Sequence, residues 1–319
     1  MLKCFLNEIR FQDTSMKRSQ LNRRQFIRTS AVAVASTALL SRWSVTNSFA
    51  AVVKRTATDQ VTLGKTGVKL SRLGIGTGVN SGHDQVGAGK EAFIKLVRHA
   101  YDQGITYIDT AERYETFPWI GDAIKGLPRE KLFIQSKIPT QPQDVLAAID
   151  RHRKMYNTDY IDSLLIHCMT KEGWTDDWKR VMDGFNEAKE KKWIRAKGVS
   201  CHTLAALKNA VDSDWTEVHL VRVNPQGRYM DGVKSAWGSE ASVDIDPVVE
   251  QIKTMHAKGH GVIGMKIFGN GDFKNPDDRE KSIRFAMSKP EIDAIVIGFT
   301  AQPQVNEAIE RINRILAEA

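Results

Sequence analysis

Leu73-Gly74-Ile75-Gly76, then Lys90-Glu91-Ala92-Phe93-Ile94-Lys95-Leu96-Val97-Arg98-His99-Ala100-Tyr101-Asp102-Gln103-Gly104, then Tyr107-Ile108-Asp109: these three pieces decide the fold. The first is a short, continuously apolar run, the mark of a strand buried on both faces. The second places Ala92, Phe93, Leu96, Val97 and Ala100 at helical spacing and ends on Gly104, a helix stop. The third is again short and apolar. Strand, amphipathic helix, strand is the unit of a parallel sheet covered by helices.

The unit recurs to the end of the chain. Further strands are expected at Leu132–Ser136, Ser163–Ile166, Lys197–Ser200, His219–Val223, Gly261–Lys266 and Ala294–Ile297. Helices are expected at Trp119–Lys125, Pro142–Met155, Trp178–Lys192, Leu204–Val211, Asp246–Lys258, Asp278–Met287 and Pro303–Leu316. Ahead of them, Gln60–Leu70 reads as a β-hairpin turning at Gly64-Lys65-Thr66-Gly67. Eight units close an α/β (β/α)8 TIM barrel with an N-terminal β-hairpin, at about the usual 250 residues. An open doubly wound sheet is the alternative. It is disfavoured because Gly74-Ile75-Gly76-Thr77-Gly78 fits the G-x-G-x-x-G spacing poorly.

Active sites of such barrels lie where the strands end. The second strand ends Asp109-Thr110-Ala111-Glu112-Arg113-Tyr114, the third Gln135-Ser136-Lys137, the fourth Leu164-Leu165-Ile166-His167. Asp109, Tyr114, Lys137 and His167 therefore converge on one mouth. A lysine ending a buried strand is costly unless paired, and Asp109 is the available partner. An ammonium beside a tyrosine is expected to lower a phenol pKa normally near 10. A tyrosine so tuned passes a proton to a carbonyl oxygen as hydride reaches the carbon. Taken singly, these residues read as a buried ion pair and a core histidine; together they read as catalytic.

These motifs, with the opening Leu63-Gly64-Lys65-Thr66-Gly67-Val68-Lys69-Leu70-Ser71 and with Gly198-Val199-Ser200, resemble the aldo-keto reductase family in order along the chain. The resemblance implies reduction of an aldehyde or ketone to an alcohol by a nicotinamide cofactor. It assigns Tyr114 as the general acid–base, Lys137 and Asp109 as its tuning pair, and His167 as the group that orients the carbonyl.

The resemblance also implies cofactor contacts. Gly76 and Thr77 end the first strand, and Ser200 stands where the family bonds the carboxamide. Arg222 stands where the family usually has Gln, with Asn224 close by, and Met265 where it usually has an aromatic ring. Gly298-Phe299-Thr300-Ala301-Gln302-Pro303-Gln304 leads into the last helix, and such a start suits a nucleotide phosphate. Thr300 and Gln304 otherwise read as helix caps. Many members carry arginine at the position of Gln304, while the potassium-channel β-subunit branch has Gln. Lys266 adds positive charge there, so NADP(H) is favoured over NAD(H). Trp119, Trp174 and Met230 are expected in the substrate pocket, the last in a loop Pro225–Val243 that also holds Trp237. With the chain ending at Ala319, just after the last helix, the pocket is expected to be open or capped by another subunit of a homo-oligomer. The channel-subunit likeness leaves a second class of function open, a cofactor-binding regulatory or partner subunit with little turnover.

The N-terminus is of a different kind. Asn22-Arg23-Arg24-Gln25-Phe26-Ile27-Arg28 precedes an apolar run from Ala31 to Leu40, and Ser48-Phe49-Ala50 puts small residues before Ala51. This resembles a bacterial twin-arginine export signal, read by the twin-arginine machinery and removed outside the inner membrane, so periplasmic localisation is expected. About ten apolar residues fall short of the roughly 20 that span a bilayer. Residues 1–50 are accordingly expected to be a signal and 51–319 the barrel. The first fifty residues hold eight basic and two acidic side chains, which is +6 of the chain's +8. The remainder is near neutral, which argues against a nucleic-acid partner. Cys168 and Cys201 remain after cleavage, two thiols that make no disulfide framework and read as packed groups. No metal site is expected.

Overall fold

The computed structural model describes residues 55–232 and 242–318. Residues 1–50, read above as an export signal, and Trp237 lie outside them. The first two strands, β1 (Gln60–Thr62) and β2 (Lys69–Ser71), pair antiparallel around a short 3-10 turn at Gly64–Thr66. They form the expected hairpin.

Eight parallel strands follow: β3 (Leu73–Gly76), β4 (Tyr107–Asp109), β5 (Phe133–Ile138), β6 (Ile161–Met169), β7 (Ile194–Cys201), β8 (Val218–Arg222), β9 (Gly261–Met265) and β10 (Ala294–Gly298). Each bonds to the next, and β10 bonds back to β3, closing the barrel. Closure removes every sheet edge, and the open-sheet alternative fails. The principal helices are α1 (Lys90–Asp102), α2 (Ile120–Ile124), α3 (Val145–Tyr156), α4 (Lys179–Glu190), α5 (Leu204–Asp212), α6 (Asp246–Lys258), α7 (Pro276–Met287) and α8 (Gln302–Glu318). β6 runs on past His167 to Met169, and a single helical turn forms at Trp174–Asp177. Among the described residues, no helix is long and apolar enough to cross a membrane.

Strand alternation sorts the side chains into two cores. Tyr107, Phe133, Leu165, Leu220 and Ile263 pack inside the barrel with Leu63, Val68 and Leu70 of the hairpin. Ile108, Ile134, Leu164, Ile166 and Val221 face outward against the helices. The hairpin is pinned to the end where β9 begins: Lys65 N donates to Gly259 O at 2.8 Å, and Asp293 accepts from both Gly64 N and Val262 N. Because successive side chains alternate, the inward set continues upward as Asp109, Gln135, Lys137 and His167. The register pairs Asp109 with Gln135 and Lys137 with Leu165, so Asp109, Lys137 and His167 rise one inward step from strand to strand. Apolar filling at the hairpin end and polar groups at the other is what positions the site.

Candidate active site

Lys137 is wholly buried, and each of its three protons is committed. Its Nζ donates to Asp109 Oδ1 and Oδ2 at 2.8 Å and to Thr110 O at 2.7 Å. Gln135 Nε2 donates to Asp109 Oδ1 at 2.9 Å and to Tyr107 OH at 2.8 Å, so the carboxylate is also held from below. Burial pulls the lysine below its ordinary range, and Asp109 pulls it back.

Tyr114 lies over this pair, with Lys137 Nζ 5.1 Å from its ring centroid. The expectation of a lowered phenol pKa is corrected here. Burial holds the Tyr114 hydroxyl well above 10, and the nearby Asp109 carboxylate and Cys168 thiol push the same way. The main reason is burial, which penalises the charged phenolate, and the Asp109 carboxylate adds to it. A protonated tyrosine is the form that donates.

His167 meets Tyr114 edge to face at 5.8 Å and 78°. Burial takes it well below 6.5, aided by the cations Lys137, Arg113 and Lys266 and by His202. The imidazole is neutral at pH 7. Its Nδ1 is buried with no hydrogen-bond partner among the described residues. An orphaned buried nitrogen marks a group that awaits one.

A cavity of about 440 Å³ opens from this point. It starts at Asp109 and Tyr114, passes Gly76, Gly78, Met265 and Lys266, and reaches Gly298, Thr300 and Gln304. Four elongated features fit a dinucleotide: a polar head at Tyr114, open glycine backbone at Gly76 and Gly298, the cation Lys266, and donors at the start of α8. Lys266 is held at about 8 by burial and by Arg222, and its Nζ donates to Asn270 Oδ1 at 2.5 Å. At the far end Gln304 Oε1 accepts from Thr300 N at 2.8 Å and from Ala301 N at 3.3 Å. The Gln304 amide oxygen thus caps the N–H groups at the start of α8.

Other residues expected in the site stand elsewhere. Thr77 bonds Asp109 O through both its N–H and its hydroxyl, fixing strand ends rather than facing the cavity. Ser200 Oγ accepts from Cys168 N at 3.0 Å, steadying a residue with φ of 65° beside His167. Arg222 is buried against Asp231 at 2.7 Å and donates to His202 O. Trp119 packs on Phe93 of α1 at 5.8 Å, outside the barrel wall. Trp174 donates to Ala206 O on α5 and meets Trp215 edge-on. Met230 is buried, its sulfur accepting from Asn224 N. Cys168 and Cys201 are free thiols. Among the described residues, no cluster of three metal-ligating side chains occurs.

Sequence reading missed Gly78. A Cβ built there would lie 2.3 Å from Tyr114 Cε2, so only glycine admits the ring. It missed Gln85 as well, whose amide donates to Gly76 O and Phe299 O and ties the first strand end to the last. The run of three alternating glycines was the available sign of the first; nothing local marked the second.

The sequence profile described as the Aldo/keto reductase family matches residues 72–319. Among curated proteins, the 9,11-endoperoxide prostaglandin H2 reductase of Trypanosoma cruzi is 36% identical over 109 residues, 33% of this chain and 37% of its own length. The glyoxal reductase of Bacillus subtilis is 34% identical over 139 residues, 42% of this chain and 46% of its own. The matched stretches thus span less than half of either relative. Among solved structures, a putative aldo-keto reductase from Pseudomonas aeruginosa superposes with TM-score 0.66 at 22% identity, covering 84% of this chain and all of that one, 100%. An aldo-keto reductase from Bacillus halodurans in its holo form gives 0.64 at 15% identity, covering 82% and 96%. Both share the barrel.

Proposed function

The chain belongs to the Aldo/keto reductase family, and we propose that it is an exported enzyme that reduces a small aldehyde or ketone to an alcohol. One observation carries this reading: Tyr114, protonated, and Asp109 line one end of a cavity of about 440 Å³, with Lys137 bonded to Asp109 and a neutral His167 set edge-on against Tyr114 behind them. When bound, a reduced nicotinamide dinucleotide supplies the hydride. Tyr114 donates its hydroxyl proton to the carbonyl oxygen. Lys137, its Nζ 5.1 Å from the Tyr114 ring, stabilises the phenolate left behind, and Asp109 acts through it by keeping the buried lysine charged. His167, neutral and already desolvated, offers a hydrogen bond that orients the carbonyl without adding charge.

Gly76, Lys266, Gly298, Thr300 and Gln304 would hold the dinucleotide. Lys266 supports NADP(H) over NAD(H), because a 2′-phosphate rewards a nearby cation. Glyoxal reductase, as the name of a similar protein, supports a small carbonyl as substrate. Residues 1–50 would act as the export signal. Twin-arginine export, which moves folded proteins, would let the enzyme leave the cytoplasm with its cofactor in place.

The test is a single turnover. Purified mature protein loaded with NADPH is offered a panel of small carbonyls, glyoxal included, while the 340 nm absorbance of the reduced nicotinamide is followed. Loss of absorbance with one or more of them supports the reading. Tight cofactor binding with no oxidation by any would favour the partner-subunit alternative instead.

A further inference from the structure

His152 lies in the middle of α3, wholly buried behind the barrel wall, and nothing in the proton transfer described above uses it. A buried imidazole is costly unless its nitrogens are met. Its Nδ1 lies 2.9 Å from Ser136 Oγ, and that hydroxyl lies 2.7 Å from Tyr156 OH. Its Nε2 faces Glu112 Oε2 at 3.6 Å, while Arg151 holds the other oxygen of Glu112.

The proton positions follow. The facing His152 and Arg151 keep the Glu112 carboxyl below its usual range, so it is an acceptor. Burial lowers His152, so the ring is neutral. The ring proton must then sit on Nε2, facing Glu112, which leaves Nδ1 to accept from Ser136. Ser136 in turn accepts from Tyr156. The donors run in one direction, from Tyr156 through Ser136 to His152, whose Nε2 faces the Glu112 carboxylate across 3.6 Å, an electrostatic contact beyond hydrogen-bond length.

The same ring is touched a second time. Phe117 packs edge-on against His152 at 4.9 Å and against Tyr156 at 5.3 Å. Glu112 precedes Tyr114 by two residues and Phe117 follows it by three. One imidazole therefore bears on the chain on both sides of the phenol. Between these points the backbone is tied by Glu112 N to Lys137 O at 3.1 Å, Tyr114 N to Ala111 O at 3.0 Å and Phe117 N to Tyr114 O at 2.9 Å.

We propose that His152 and Glu112 are positioning residues that clamp the loop carrying Tyr114 from outside the barrel. This rests on Tyr114 being the proton donor. The clamp lets a phenol reach over the mouth on an irregular loop and still hold its place to the fraction of an ångström that proton transfer requires.

The test compares Glu112→Ala with Glu112→Gln in the mature protein loaded with NADPH, glyoxal serving as first probe among small aldehydes. Glu112 is partly exposed, so both variants are expected to fold; His152→Gln serves as a second route to the same cut. Glu112→Ala should lower kcat roughly 10- to 100-fold, with KM and NADPH affinity within about twofold. Glu112→Gln keeps an oxygen acceptor for Nε2–H and should recover most of kcat. The isotope effect with 4-deuterated NADPH should rise in Glu112→Ala, because the chemical step becomes limiting. Without any substrate, the amides of Tyr114 and Phe117 should exchange with deuterium faster in Glu112→Ala than in wild type. Wild-type kcat and exchange in Glu112→Ala, or a Glu112→Gln protein as impaired as Glu112→Ala, would overturn the clamp. Tyr114→Phe run in parallel separates the two readings. If it stays active, the donor assignment falls and the clamp's purpose with it. If it is dead while Glu112→Ala is wild-type, only the clamp falls.

Discussion

Gly78 and Tyr114 are in such close contact that the glycine's missing side chain is the space the phenol ring fills: a Cβ there would meet ring atoms Cε2 and Cζ at 2.3 and 2.4 Å. Gly78→Ala should therefore displace the tyrosine while leaving the barrel intact, since its φ of −116° suits any residue. A fall in kcat of about 100-fold with melting near wild type is expected. Full activity would show that the ring can stand elsewhere.

Tyr114→Phe should abolish carbonyl reduction and leave NADPH affinity within about twofold, because the hydroxyl moves a proton and holds no part of the dinucleotide. Single-turnover absorbance and fluorescence titration read the two quantities separately. Most of the activity surviving would remove Tyr114 from the acid role.

Lys137→Met strands Asp109 inside the barrel beside Gln135 and Tyr107. Removing one partner of such a buried pair costs about 3–5 kcal/mol, so a large drop in melting temperature is expected, together with lost turnover. Pairing it with Asp109→Asn should recover part of the stability and none of the rate. A single mutant as stable as wild type would contradict the ion-pair account.

Lys266 gives a pH signature. Its folded-state value of about 8 lies below the ordinary 10.5, so between these values the unfolded chain binds more protons than the folded one. Stability should rise with pH across that window, and Lys266→Met should melt higher than wild type at pH 7. Cofactor affinity should run the other way, weakening above about pH 8 as the amine loses its charge. NADPH titrations on either side of that pH check it, and the methionine variant should show weaker and pH-independent binding.

Arg23 and Arg24 replaced by lysine should leave the protein in the cytoplasm, folded and uncleaved, because the paired guanidinium forks offer planar donor geometry that ammonium groups lack. Fractionation and N-terminal sequencing read the result, with wild type beginning near Ala51. Export of the lysine variant in normal yield would sink the assignment.

The barrel was legible because each strand is a short apolar run and each helix an amphipathic one, a pattern set by burial alone. Asp109, Lys137 and His167 were legible for a related reason: strand parity carries them inward above Tyr107, Phe133 and Leu165. Side chains on irregular backbone were harder. Trp119 and Trp174 look like pocket walls by position, yet local turns aim them at Phe93 and Trp215. Arg222 ends a strand facing the mouth, but Asp231, nine residues on, takes up its charge. The Tyr114 pKa was misread because proximity to an ammonium was visible in the sequence order, while the burial of the phenol and the opposing field of Asp109 were not counted against it. Gln85 and His152 gave no local sign, since their partners lie far along the chain.

Gln304 has a consequence for selectivity over time. Its side-chain oxygen already sits on the N–H groups of Thr300 and Ala301, so the protein carries a built-in competitor for its own anion site. Being tethered, that competitor acts at a high effective concentration. A free sulfate or phosphate ion brings charge alone and must beat it at every encounter. A dinucleotide arrives with its other contacts along the cavity and can displace it. If the proposed dinucleotide binds here, the same amide would return to these N–H groups when it leaves, and Gln304→Ala should then let small anions compete with it.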